Sequence, residues 1–274
     1  MLQRMLALLI TLTLICCALP ALAEGTLRVG MECAYAPFNW QQLEENEFTA
    51  PIAEGFGFAD GYDVQIARRI AEALGMDLEV VKIDWNGLIP ALGSAGNPGI
   101  IDLIIAGMSP TDERRSSIDF TDYYYQSDLV IVVRADGPYA NATSLADFSG
   151  AAIVAQQGTF HDEVVDQIPG VEHVMPMEDF PAMIVALTSN FVDGYVSERP
   201  GAEAAIASTP GLTYVAFAEG SGFTASVDET AVSIGLVYDS PYKDAINDLL
   251  ASISEDERQE IMREAVGRQG LAIE

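Results

Sequence analysis

The stretch 100–115, IIDLIIAGMSPTDERR, decides the fold. Its first half, 100–107, is a continuous apolar run of the kind that forms a strand buried in a parallel sheet. Small residues follow. Ser109-Pro110-Thr111-Asp112 then reads as an S-x-x-D cap, with Ser109 capping a helix that Pro110 begins. Open parallel sheets bind ligands at the carboxyl ends of their strands. Two adjacent arginines, Arg114 and Arg115, therefore stand where an anion can be gripped, in a chain with 13 Lys+Arg against 41 Asp+Glu. On spacing alone, each is equally a solvated charge on a first helical turn.

Reading outward, apolar runs alternate with helix-like segments. Strands are expected at 26–31, 78–83, 128–134, 151–156, 191–196 and 231–237. The segment 61–75 places Val64, Ala67, Ala71 and Leu74 on one helical face, with Gly75 as its C-cap. Further helices are expected at 86–96, 159–168, 179–190 and 198–208. Two more close the chain, the second opening on the capping-box pattern Ser254-Glu255-Asp256-Glu257. This alternation is α/β with mostly parallel sheets. No repeat of 20 to 50 residues occurs. The acidic stretch 41–60 is the longest irregular segment.

At 274 residues the chain can bury a large core, in one or two domains. A net charge of −28 leaves no basic stripe for nucleic acid or anionic lipid. Arg4, an apolar run over 5–20 and Ala21-Leu22-Ala23 form a signal-peptide pattern, so residues 1–23 are expected to be removed after export. Cys16 and Cys17 lie in that run, and a lipid anchor on Cys17 is the alternative to plain secretion. Export that removes 1–23 leaves Cys33 without a disulfide partner. No Cys/His spacing suggests zinc, and no cofactor is expected. His161 and His173 stand alone in sequence, and His161 reads as a surface residue.

The residues after each strand sort into a set that suits a small zwitterion: an arginine, carboxylates, hydroxyls, amides at helix starts, and aromatics. An α-carboxylate is met by a guanidinium and helix-N-terminal N–H groups. An α-ammonium is met by a carboxylate and a carbonyl, and aromatic walls enclose the rest.

Six stretches carry a more specific resemblance: LRVGMECAYAPF (27–38), GYDVQIARRIAEALG (61–75), DWNGLIPAL (84–92), IIDLIIAGMSPTDERRSSIDFTDYYY (100–125), QQGTF (156–160) and VDGYVSERPGA (192–202). In this order the chain resembles the bacterial extracytoplasmic amino-acid-binding proteins of polar amino acid ABC transporters (solute-binding protein family 3). The resemblance implies a two-lobed periplasmic-binding-protein fold. Each lobe is a mostly parallel sheet flanked by helices, and two crossover strands join them, near 127–131 and 217–221. Lobe 1 would combine 24–129 with 219–274, and lobe 2 would be 130–218.

By the same resemblance, Arg114 pairs with the ligand α-carboxylate, helped by the N–H groups of Ser109, Thr159 and Phe160. The Ser109 hydroxyl, the Gly107 carbonyl and Glu198 receive the α-ammonium. Tyr35 and Trp85 are the aromatic walls, and Glu32 faces the ligand side chain. Glu198 stands where the family usually has Asp, Phe160 where it often has Ser or Thr, and Ala106 where it often has Ser. The implied function is capture of an amino acid, by a monomer outside the cytoplasmic membrane, for delivery to ABC permease subunits. An enzyme on the same scaffold, a prephenate or arogenate dehydratase type with Glu198 as general acid, is the alternative. A membrane sensor domain is a third class. Phe38, Trp40 and the run Tyr123, Tyr124, Tyr125 read as packing, and Cys33 as a small buried residue.

Overall fold

The structure is a computed structural model that describes residues 25–94 and 96–269. The expected signal peptide, 1–23, and the anchor alternative at Cys17 lie outside the described residues.

The first lobe opens on β1 (Thr26–Met31). A small antiparallel sheet follows, formed by β2 (Ala34–Tyr35), β3 (Asn39–Gln42), β4 (Ala50–Pro51) and β5 (Phe58–Asp60) in the order β2-β3-β5-β4. The stretch 41–60 is thus structured, contrary to the expectation of an irregular loop. Its strands are too short to carry a visible two-residue period. Helix α1 (Tyr62–Leu74) then packs Val64, Ala67, Ile70 and Ala71 inward. It stops at Gly75, whose left-handed φ of 68° lets its N–H reach the carbonyls of Ala71 and Glu72.

Next come β6 (Asp77–Lys82), a 3-10 turn (Trp85–Gly87), α2 (Leu88–Leu92), the hairpin β7 (Gly93–Ser94) and β8 (Asn97–Pro98), and β9 (Leu103–Ile104). The single helix expected over 86–96 is therefore a turn, a short helix and the start of a hairpin. Helix α3 (Asp112–Arg115) and strand β10 (Asp119–Gln126) complete this part. The cap of α3 is Thr111, whose hydroxyl accepts from the Arg114 N–H, and not Ser109. Pro110 pushes the residue before it out of helical geometry.

The second lobe holds β11 (Leu129–Arg134), β12 (Ala152–Val154), α4 (Phe160–Val165), β13 (Glu172–His173), α5 (Phe180–Thr188), β14 (Gly194–Glu198), α6 (Arg199–Ser208) and β15 (Leu212–Val215). The chain then returns through α7 (Val227–Thr230) to β16 (Ala231–Leu236), α8 (Lys243–Ser252) and α9 (Glu255–Gln269). The Glu257 N–H donates to Ser254 Oγ at 3.3 Å, the N-cap contact read from the sequence.

The two large sheets have strand orders β10-β16-β9-β1-β6 and β13-β12-β14-β11-β15. Both are mixed rather than mostly parallel. In the first, β1 runs parallel to β6 and β9, while β16 is antiparallel to β9 and β10. In the second, β12 is parallel to β13 and β14, while β11 is antiparallel to β14 and β15. The antiparallel strands flank the passages between lobes. The first passage lies between Gln126 and Leu129. Phe217, Phe223 and Ala225 pack on the core of the second lobe. The two passages run side by side, with the Ser127 N–H donating to the Thr230 carbonyl at 3.2 Å.

Candidate functional site

The turn after β9 is built around Gly107, at φ 61°. A side chain there would meet Tyr35, since a Cβ would lie 2.9 Å from Tyr35 Cε1. The Gly107 N–H donates to the Tyr124 hydroxyl (3.0 Å), which donates to Asp63 Oδ1 (2.7 Å). Asn39 Nδ2 donates to the other oxygen of Asp63 (2.7 Å), and Asn39 Oδ1 accepts from the Cys33 N–H (2.7 Å). One buried carboxylate thus fixes the turns after both β1 and β9. Burial pushes the Asp63 carboxyl up to about 7, against the pull of these donors.

The single turn of α3 folds Arg114 back over the strand end. Its Nη1 donates to the Ser109 carbonyl (2.8 Å) and its Nη2 to the Gly158 carbonyl in the second lobe (3.1 Å). Its guanidinium lies 5.1 Å from the centre of the Trp85 ring, and Trp85 Nε1 donates to the same Gly158 carbonyl (3.2 Å). Burial lowers Arg114 to about 10, which leaves it charged at neutral pH. Ser109 Oγ donates to the Glu229 carbonyl (3.0 Å), so its free lone pair remains an acceptor.

From the second lobe, the turn after β12 presents Thr159 and Phe160 at the start of α4. Thr159 Oγ1 donates to the Gln156 carbonyl (2.7 Å). Strand β14 is buried throughout and delivers Glu198 at its end. Glu198 Oε1 lies 3.1 Å from His161 Nε2, and burial raises this carboxyl to about 8. Glu32, after β1, accepts from Gln156 Nε2 (2.9 Å). Burial raises Glu32 to about 7; the Gln156 hydrogen bond opposes this, and the charges of Asp179, Asp84 and Glu178 add to it. Tyr35 stacks on Phe180 of the second lobe, ring centres 4.3 Å apart.

Tyr35, Trp85, Gly107, Ser109, Arg114, Thr159, Phe160 and Glu198 all line one cleft between the lobes. Glu32 joins it through Gln156. The cleft is narrow, with room for about one water, and a wider cavity of ≈ 430 Å³ between the lobes shares Phe180 with it. Of the expected packing residues, Phe38, Trp40 and Tyr124 are buried, as is Cys33, but Tyr123 is 36% exposed. His161 is not a surface residue: its side chain is 11% exposed and it lines the cleft. His161, Val164 and Val165 form the buried face of α4, and their i, i+3, i+4 spacing is the signal in the sequence. Gln156 and Phe180 also line the cleft without having been singled out as site residues. Nor does His173 stand alone, since it contacts Asp162 and Asp166, each at 2.8 Å.

Two α/β lobes that meet over a cleft lined from both sides define a class, the two-lobed binding proteins. Within that class, the chain belongs to the bacterial extracellular solute-binding proteins, family 3, whose model matches residues 27–268. A probable histidine-binding protein of Campylobacter jejuni is 31% identical over 206 residues, covering 74% of this chain and 73% of that protein. The L-cystine-binding protein TcyJ of Escherichia coli is 26% identical over 234 residues, covering 85% and 79%. The solved structure of an ancestral arginine-binding protein bound to arginine superposes with a TM-score of 0.69 at 30% identity, covering 88% of this chain and 97% of that one.

Proposed function

We propose that the protein is an extracytoplasmic receptor that captures an amino acid between its lobes and hands it to an ABC permease. The observation that carries this reading is the cleft itself: the cation Arg114 and the acid Glu198 come from opposite lobes and line one narrow space. The ligand α-carboxylate takes Arg114, with the N–H groups of Ser109, Thr159 and Phe160. The α-ammonium takes Glu198, the Ser109 hydroxyl and the Gly107 carbonyl. Tyr35 and Trp85 form the walls.

Glu32 and Gln156 meet the far end of the side chain, where Asp84, Glu178 and Asp179 add negative potential. This favours a polar or cationic side chain. The relatives are named for histidine, cystine and arginine, which share polarity rather than charge. The lobes part to admit the ligand. Closing then follows because the ligand touches both lobes and binds the closed state better. Ser127 and Asp128, with 226–230, are the segments that flex. The receptor works as a monomer. No observation favours the dehydratase alternative, and the relatives are named for binding.

A thermal-shift screen of the twenty amino acids tests the reading. At least one is expected to raise the melting temperature, by linkage of binding to folding. If none does, amino acid capture is wrong.

A further inference from the structure

Helix α5 begins on an aromatic ring that faces the other lobe. Asp179 Oδ1 accepts from the Ala182 N–H (2.8 Å) and Pro181 follows, so the cap and the proline fix the helix start without the Phe180 side chain. The Phe180 ring is buried and lies face to face with Tyr35 of the first lobe, ring centres 4.3 Å apart and planes 15° apart. Two aromatic faces at that spacing are in van der Waals contact, and no side chain passes between them. Tyr195 of β14 and His161 of α4 meet Phe180 edge-on, at 6.2 and 6.3 Å, and hold the ring from swinging aside.

Phe180 borders two spaces. One is the cleft that holds Arg114 and Glu198. The other is the cavity of ≈ 430 Å³, whose walls include Trp40, Ile184, Tyr195 and Ala205. Tyr35 lines the first, and its chain neighbours Ala34 and Ala36 line the second, so the stacked pair stands between them. A cavity of this size takes a small organic ligand, and its walls are mostly apolar and aromatic. Trp40 Nε1 and the Tyr195 hydroxyl are buried and make no hydrogen bond. Buried polar groups are rarely left so, and a polar group on a ligand supplies what each lacks.

We infer that Phe180, stacked on Tyr35, is the partition that sets how large a ligand side chain the cleft accepts. This rests on the amino acid receptor reading above. A side chain that ends near Glu32 and Gln156 stays on the cleft's side of the pair. A phenol or indole ring needs the space that the Phe180 ring holds, so L-tyrosine and L-tryptophan are rejected by steric exclusion rather than by charge. Removing the ring joins the cleft to the wider cavity, where Trp40 and Tyr195 offer aromatic walls and unpartnered polar atoms. Phe180 thus acts on selection and not on the grip: Arg114 and Glu198, assigned to the α-carboxylate and α-ammonium, are untouched by its loss. A ring that only packed would, once removed, weaken every ligand alike. A partition changes their ranking.

Calorimetric titration of the twenty amino acids into the wild-type protein and its Phe180 variants separates these roles. The wild type is expected to bind L-tyrosine and L-tryptophan at least about tenfold more weakly than its best ligand. Phe180→Ala and Phe180→Leu raise the affinity for one or both aromatic amino acids, relative to that ligand, by about tenfold, the scale on which an apolar pocket discriminates. Phe180→Tyr keeps the ring and keeps the wild-type ranking. Adding Ala205→Leu to Phe180→Ala refills the wider cavity from α6 and removes the gain. Where Phe180→Ala does not fold, Phe180→Leu, with Ala205→Leu added to it, carries the comparison.

An unchanged ranking in Phe180→Leu, a gain that survives Ala205→Leu, or tight binding of L-tryptophan by the wild type overturns the inference and leaves the receptor reading standing. If no amino acid binds the wild type or any variant, the receptor reading fails and the inference falls with it.

Discussion

Arg114 and Arg115 are chain neighbours with opposite surroundings. Arg114 is drawn into the cleft, hydrogen-bonded to carbonyls of both lobes and laid over Trp85. Arg115 turns outward: its Nε donates to the Pro110 carbonyl (2.9 Å) and its Nη2 lies 3.8 Å from Asp228. Removing one member of a buried charge pair costs about 2–5 kcal/mol. Arg114→Ala is therefore expected to weaken amino acid binding about 100-fold or more, with the circular dichroism spectrum unchanged. Arg115→Ala should stay within about twofold, as an exposed charge does. Equal losses in calorimetric titration of both variants would refute this division of roles. At this scale the sequence was most legible where a motif fixed both residue and place, as for Arg114. It was least legible for His161, because a lone histidine carries no chemistry until its spatial partner is known.

At the scale of elements, the buried Asp63 at the start of α1 links β3, β10 and the turns after β1 and β9. Removing its carboxylate leaves the Asn39 amide and the Tyr124 hydroxyl short of a partner. Asp63→Ala is expected to destabilise the protein by about 2–4 kcal/mol, read as a lower urea midpoint with unchanged slope. A loss below about 0.5 kcal/mol would show that the network is not what fixes these turns. Elements with a long period were readable: α1 and its Gly75 cap fall where the 3.6-residue spacing puts them. Short elements were not. Strand β9 spans only Leu103–Ile104 within the apolar run 100–107, because the Asp102 side chain accepts from the Arg28 N–H and ends the regular ladder. Ser109 and Thr111 are both hydroxyl residues before an acidic turn, and only backbone geometry tells which one caps.

For the molecule as a whole, three buried carboxyls are raised above their unfolded values: Glu32 and Asp63 to about 7, Glu198 to about 8. A raised folded pKa means that the native state binds more protons than the unfolded chain. The stabilisation is complete below about pH 4, and it is lost as pH rises to about 8. Without ligand, the protein is expected to melt at a higher temperature at pH 5.5 than at pH 8.5, by an amount equivalent to a few kcal/mol. Glu32→Gln and Glu198→Gln should each shrink that difference, which separates these groups from the general repulsion of a −28 chain. A melting temperature independent of pH would contradict the burial of these groups. The lobed plan was legible from motif order. The mixed sheets were not, because strand direction is set by passages that carry no periodicity of their own.

Trp85 lies between the lobes, its indole N–H on the Gly158 carbonyl and its ring under Arg114. The chain has only one other tryptophan, Trp40, which is 7% exposed and lines a second cavity between the lobes with Phe180 and Tyr195. The protein therefore carries its own optical gauge of lobe movement. Amino acid titration should shift the emission of both tryptophans, because lobe movement changes the neighbours of each. Trp85→Phe and Trp40→Phe should each remove part of the signal, so that closure can be timed by stopped-flow fluorescence without attaching a dye.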